Sequence, residues 1–198
     1  MAAADELSGV DGLRAARLRA FVAVEVPAAE ALCRFLSAAR ETMPGFRWVE
    51  PANLHVTLRF LGQLERCALD RLITELRGVR AQPFTLGLAA LGTFGSRRSP
   101  RVIWVGVGDG AEALIELAAG VEAACRRAGS PPVGRPFRPH LTLARARDRR
   151  GAPLAPLPPF PALPPSAIRE IVLFESRPGP AGARYVPISS QSLEPALS

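Results

Sequence analysis

The chain contains no lysine at all, and all 25 of its basic side chains are arginine. It has only two histidines, three cysteines and six threonines. Each scarcity excludes something. Total avoidance of lysine, beside abundant alanine, proline and glycine, reads as coding bias, so no single arginine is meaningful by its presence alone. Cys33, Cys67 and Cys125 are far apart, odd in number and without C-x-x-C spacing. That argues against a disulfide framework and a structural zinc site, and leaves them as small apolar packing residues. No apolar run approaches membrane-spanning length, so no membrane association is expected. The start, Met1-Ala2-Ala3-Ala4-Asp5-Glu6, puts acids where a secretory leader needs positive charge, and a cytoplasmic protein is expected.

The 198 residues suffice for one domain or two small lobes with a substantial core. The formal net charge is +7. A basic surface draws phosphate-bearing ligands and raises their encounter rate, without naming one.

Residues 1–16 are small and polar and read as a tail; 17–190 read as one body, and 191–198 as a second tail. Leu18–Val26 has the β-branched and aromatic content of a strand. Pro27 opens a helix to about Met43, stopped by Pro44-Gly45. Phe46–Val49 and Leu54–Leu61 are strands, the second ended by Gly62. Arg66–Val79 has helical spacing at Leu69, Leu72, Ile73 and Leu76. Pro83–Leu91 and Arg101–Val107 read as strands joined by a loop over 92–100. Asp109 is a candidate N-cap for a helix over Ala111–Ala128, ended by Gly129. A strand is expected near Arg138–Arg145. Seven prolines between 151 and 165 make that stretch an extended loop. Ile168–Ser176 and Arg184–Ile188 are the last strands. Helices and strands mix without strict alternation, which predicts an α+β fold with mainly antiparallel pairing.

The two histidines sit in matching contexts. Residues 53–62 read Asn-Leu-His-Val-Thr-Leu-Arg-Phe-Leu-Gly, and 138–145 read Arg-Pro-His-Leu-Thr-Leu-Ala-Arg. Threonine two residues after both histidines has chance odds of about 1 in 1,000 in so threonine-poor a chain. Residues two apart on a strand share a face. His55 and Thr57 therefore point one way, as do His140 and Thr142. Leu54, Val56 and Leu58 face the core, with Leu141 and Leu143 their counterparts. The repeat suggests an internal duplication, with the motifs facing each other across a cleft. Two imidazoles and two hydroxyls suit phosphodiester cleavage: one imidazole takes a proton from water and the other protonates the leaving oxygen. The hydroxyls donate to the phosphoryl oxygens as charge builds there. A lone strand histidine is usually structural, but the paired contexts argue against that here. No Asp, Glu or Cys lies at the usual local ligand spacings, so neither a metal site nor any cofactor is expected.

At these residues the sequence resembles the 2H phosphoesterase superfamily, and within it the LigT-like RNA 2',3'-cyclic phosphodiesterases, also described as 2'-5' RNA ligases. The likeness runs from about Arg19 to Ile188. It includes Arg19–Ala23, Asn53–Gly62, Arg101–Gly106, Phe137–Arg145 and Arg184-Tyr185. It implies a bilobal α+β fold whose two mainly antiparallel sheets line a central cleft, with helices outside. It also implies hydrolysis of an RNA terminal 2',3'-cyclic phosphate to a 2'-phosphate, with RNA or oligonucleotide ends as the partner; a monomer is expected. His55 would then be the proton donor and His140 the acceptor. Thr57, Thr142 and Arg145 would contact the phosphate, and Phe60 would stack on a base. The residues themselves do not choose between the two histidine roles.

Phe60 and Arg145 each lie five residues after a histidine, an odd offset that an ideal strand would aim at the opposite face. A bulge or bend is needed to bring them round. Arg59 and Arg138 have the correct parity to add charge to the cleft. Trp48 and Trp104 read as core, and Arg97, Arg98 and Arg101 as a charged loop. Two alternatives stay open: ligation or cleavage of another cyclic or 2'-5' phosphodiester, and a non-catalytic RNA- or nucleotide-binding module.

Overall fold

A computed structural model describes residues 17–179 and 182–194. The expected tail over 1–16 and the end of the second tail lie outside them. Among the described residues, ten strands and three α-helices follow in order. They are β1 (Leu18–Glu25), α1 (Glu30–Thr42), β2 (Phe46–Trp48), β3 (His55–Leu64), α2 (Arg66–Leu76), β4 (Phe84–Leu86), β5 (Leu88–Gly95) and β6 (Pro100–Val107). Then come α3 (Ala111–Arg127), β7 (His140–Ala146), β8 (Ser166–Ile168), β9 (Glu170–Arg177) and β10 (Arg184–Ser192). The mixed order is α+β, and every strand pairing is antiparallel.

Two four-stranded sheets have the orders β10-β9-β1-β3 and β2-β7-β6-β5, with β4 and β8 as a separate ribbon. One histidine strand lies in each sheet. The units β1–α1–β3 and β6–α3–β7 are built alike: a strand, a helix, then a histidine strand paired antiparallel to the first. The halves also exchange strands. β2 and β5, from the first half, complete the second sheet; β9 and β10, from the second half, complete the first.

Helix spacing accounts for the core. Leu32, Phe35, Leu36 and Ala39 form the buried stripe of α1; Leu69, Leu72 and Leu76 form that of α2. On α3, Leu114, Leu117, Ala118, Val121, Ala124 and Cys125 turn inward. These stripes meet Val22, Val56, Ile103, Leu141 and Leu143 in one continuous cluster. Leu54, Val56 and Leu58 are buried as expected, and so is Trp48. Burying each such side chain contributes about 1.5–3 kcal/mol. The opposite face of β1 carries Phe21 and Ala23 into a second, smaller cluster with Val172 and Phe174, with Tyr185 packed on it.

Several expectations need correcting. Gly62 does not end its strand; it takes φ 71° inside β3, which runs on to Leu64. Asp109 is not the cap of α3. Gly110 holds that place at φ 79°, where a Cβ would stand 2.2 Å from the Thr85 carbonyl oxygen. The stretch 83–91 splits into β4 and β5 at Gly87, whose N–H and carbonyl bond Asp109 and Gly108 instead of a sheet neighbour. The stretch 168–176 splits likewise at Arg169, whose carbonyl accepts the Leu193 N–H. Strand β5 runs through the expected loop as far as Gly95, and β10 continues to Ser192. Cys125 is buried as a packing residue, but Cys67 is exposed on the first turn of α2. The proline segment has no regular structure, yet it is fastened down. Phe160 packs edge-on against Phe35 with ring centroids 5.2 Å apart, and the Ala152 N–H bonds the Pro100 carbonyl.

Candidate active site

The parity difficulty at Phe60 and Arg145 is resolved by one device used twice. Across β1 and β3, Ala23 faces Thr57 and Val22 faces Arg59, so Leu58 is an extra residue in β3. Across β6 and β7, Trp104 faces Thr142 and Ile103 faces Ala144, so Leu143 is an extra residue in β7. Each bulge falls on the third residue after a histidine. A bulge reverses the alternation beyond it. Phe60 and Arg145 therefore return to the face of their histidines, while position four turns inward.

That reversal overturns the cleft placement of Arg59. Its side chain is only 10% exposed and is directed at α3, where Nε faces Glu122 Oε2 at 3.1 Å in an ion pair too poorly aligned to count as a hydrogen bond. Its Nη2 donates to the Pro131 carbonyl, and Glu122 accepts the Val133 N–H. The same surroundings bury the Cys125 thiol, whose pKa burial pushes up to about 11. Arg138 is exposed, and what it gives the site is its backbone carbonyl.

The two imidazoles are held alike. His55 Nδ1 lies 2.7 Å from the Asn53 carbonyl oxygen, and His140 Nδ1 lies 2.7 Å from that of Arg138. A carbonyl only accepts, so each Nδ1 carries hydrogen and Nε2 is the nitrogen left to exchange a proton. Each ring is also walled by two aromatics. Phe21 and Tyr185 have centroids 4.9 and 5.0 Å from His55. Phe94 and Trp104 have centroids 5.1 and 6.1 Å from His140. Trp104 is therefore half-buried beside a histidine rather than core. Its ring lies over Gly92, where a Cβ would be 2.3 Å from the indole.

Burial is the main cause that lowers the pKa of both histidines below the usual 6.5, against an opposing pull from the carbonyl acceptors. The positive charge of Arg145 lowers both further, and His140 lowers His55. The two rings and this guanidinium thus lie within reach of one another's charge, and strands β3 and β7 pack together. A cavity of about 630 Å³ opens here, walled in part by Phe21, His55, Phe60, Thr142, Arg145 and Tyr185. Phe60 is 59% exposed, an apolar ring presented to solvent at the cavity wall. Thr57 and His140 are half-buried on the same faces of their strands as His55 and Thr142. Sequence reasoning assigned none of the four aromatic walls to the site and read Trp104 as core. Tyr185 and Phe94 are separated from the histidines by long stretches of chain, and no local spacing connects them.

Both halves also match one family description. A model of the LigT-like phosphoesterase family matches residues 22–104 and again 105–185, one copy around each histidine. The chain belongs to the LigT-like phosphoesterase family. It is similar to an RNA 2',3'-cyclic phosphodiesterase of Geobacillus stearothermophilus, 39% identical over 163 residues. That alignment covers 79% of this chain and 51% of the relative, so the chain spans about half the relative's length. The RNA 2',3'-cyclic phosphodiesterase of Escherichia coli K12 is 35% identical over 148 residues, 74% of this chain and 80% of that protein. The crystal structure of E. coli LigT complexed with 3'-AMP superposes with a TM-score of 0.72 at 28% identity, covering 90% of this chain and 99% of the other. Among the described residues no three His, Cys, Asp or Glu side chains gather as a metal site. Nor, among them, is any helix long and apolar enough to cross a membrane.

Proposed function

We propose that this LigT-like phosphoesterase hydrolyses the terminal 2',3'-cyclic phosphate of RNA to a 2'-phosphate, without a metal ion. The observation that carries this reading is the pair of imidazoles, each with Nδ1 tied to a backbone carbonyl and Nε2 left for proton transfer. The names of the relatives support the substrate class.

In this mechanism, neutral His140 takes a proton from water at Nε2 as the water oxygen bonds to phosphorus. The bond from phosphorus to O3' breaks, and the His55 imidazolium gives its Nε2 proton to O3'. The products are a 2'-phosphomonoester and a free 3'-hydroxyl. His55 suits the donor role because it shares the cavity wall with Phe60, where a stacked nucleoside would bring its own O3'. Thr57 and Thr142 donate to the non-bridging oxygens, and Arg145 balances their charge. Burial favours the neutral ring, which suits the base. The anionic phosphate restores the protonated form of the acid when substrate binds.

Incubation with the four nucleoside 2',3'-cyclic phosphates in EDTA tests reaction, metal independence and regiochemistry together. A 2'-phosphate product is expected. A 3'-phosphate, or turnover only after metal is restored, would contradict it.

A further inference from the structure

Beyond the histidines, the cavity continues toward a group of arginines of which the proposed chemistry uses only Arg145. Arg47 on β2 stands directly opposite Arg145 on β7, and both line the cavity. Like charges directly opposite on neighbouring strands destabilise a sheet. Arg147, two residues beyond Arg145, lines the same wall, with its Nε donating to the Pro44 carbonyl. Arg19 on β1 approaches from the other sheet. Among the described residues none of these four arginines forms an ion pair; the ion pairs there involve other side chains. Among the described residues Glu50 is the one acid on this wall, and Arg40 holds it at 2.9 Å.

The positions differ in what they can reach. Arg145 lowers the pKa of both histidines, so it serves the reacting phosphate. Arg47 lies one strand further out, a spacing of about 4.8 Å. Its methylenes extend toward the backbone of Gly182, where a Cβ would be 3.4 Å from Arg47 Cδ. The cationic row therefore leads away from the catalytic pair along the wall of a cavity of about 630 Å³.

We infer that Arg47, with Arg19 and Arg147 beside it, binds the phosphodiester on the 5' side of the terminal nucleotide. The enzyme would then select oligonucleotide ends over single cyclic nucleotides. This rests on the phosphodiesterase reading above. Two anions, the reacting phosphate at Arg145 and the neighbouring phosphodiester at Arg47, also account for a cross-strand pair that is otherwise unfavourable.

The test compares adenosine 2',3'-cyclic phosphate, the adenylyl dinucleotide ending in that group, and the same dinucleotide with an uncharged methylphosphonate linkage. One charge-assisted contact predicts about tenfold higher kcat/KM for the charged dinucleotide, mostly through KM. The methylphosphonate dinucleotide and the Arg47→Gln variant should both lose that preference. Arg145→Gln should depress all three substrates and leave the preference standing. Equal kcat/KM for nucleotide and charged dinucleotide overturns the inference, as does a preference that survives Arg47→Gln.

Equilibrium binding reads the subsite independently of turnover. The charged dinucleotide ending in a 2'-phosphate should bind about tenfold more tightly to the native chain than to Arg47→Gln. Equal binding overturns the subsite. Tight, Arg47-dependent binding with no hydrolysis of any substrate supports the subsite and refutes the phosphodiesterase reading.

Discussion

The His55 strand and the His140 strand are two copies of one construction that diverge only after the bulge. Both carry histidine, then threonine two residues on, then an extra leucine that reverses the alternation. Both tie Nδ1 to the carbonyl two residues back, and both wall the ring with aromatics. At position four one strand has Arg59, clamped to α3, and the other has buried Ala144. At position five one presents Phe60 and the other Arg145. The frame is symmetric and its payload is not. In the proposed mechanism, a ring from one half and a cation from the other give a near-symmetric acid–base pair a side for the nucleoside and a side for the charge.

Removing the shared part should cost most. His55→Ala and His140→Ala should each lower kcat by about 10²–10⁴-fold with an unchanged circular dichroism spectrum. A variant at the wild-type rate breaks the symmetry argument. The hydroxyls come next. Thr57→Val and Thr142→Val should each lower kcat by about 10²-fold, with a smaller change in KM, if both donate to the phosphoryl group in the transition state. A loss at only one would show that a single half stabilises the charge.

The divergent positions should separate binding from charge. Phe60→Ala removes a stacking surface of about 1–3 kcal/mol and should raise KM for cyclic nucleotides about 5- to 150-fold while kcat moves less. Phe60→Trp should retain affinity. Arg145→Gln should leave a smaller mark with a definite sign. Burial and the Arg145 charge hold both histidines below 6.5, so the bell of kcat/KM against pH should lie on the acid side of that value. Removing the guanidinium raises both pKa values, and both limbs should move to higher pH. A shift to lower pH would contradict the electrostatic arrangement.

The sequence made the motifs legible because a strand's period of two turns His-x-Thr into a shared face. The same rule fails at Phe60 and Arg145. A bulge is a property of the pairing, set by Val22 against Arg59 and Ile103 against Ala144, and the strand's own residues do not announce it. Arg59 is the clearest case: its parity pointed to the cleft, and one extra leucine turned it onto Glu122. The exchange of β2, β5, β9 and β10 between sheets was equally hidden, because long-range antiparallel pairing leaves no local period. Gly92 and Gly95 read as loop punctuation. In the fold Gly92 is a strand residue that makes room for Trp104, which in turn walls His140.

The acid and base assignment is the central claim, and a thiolate leaving group tests it most directly. In a 2',3'-cyclic phosphate whose 3'-bridging oxygen is replaced by sulfur, the departing group needs no proton. His55→Ala should then regain most of the wild-type rate, while His140→Ala should stay inactive because water still needs its base. Rescue of His140→Ala instead would reverse the two roles, and rescue of neither would contradict acid–base catalysis by this pair.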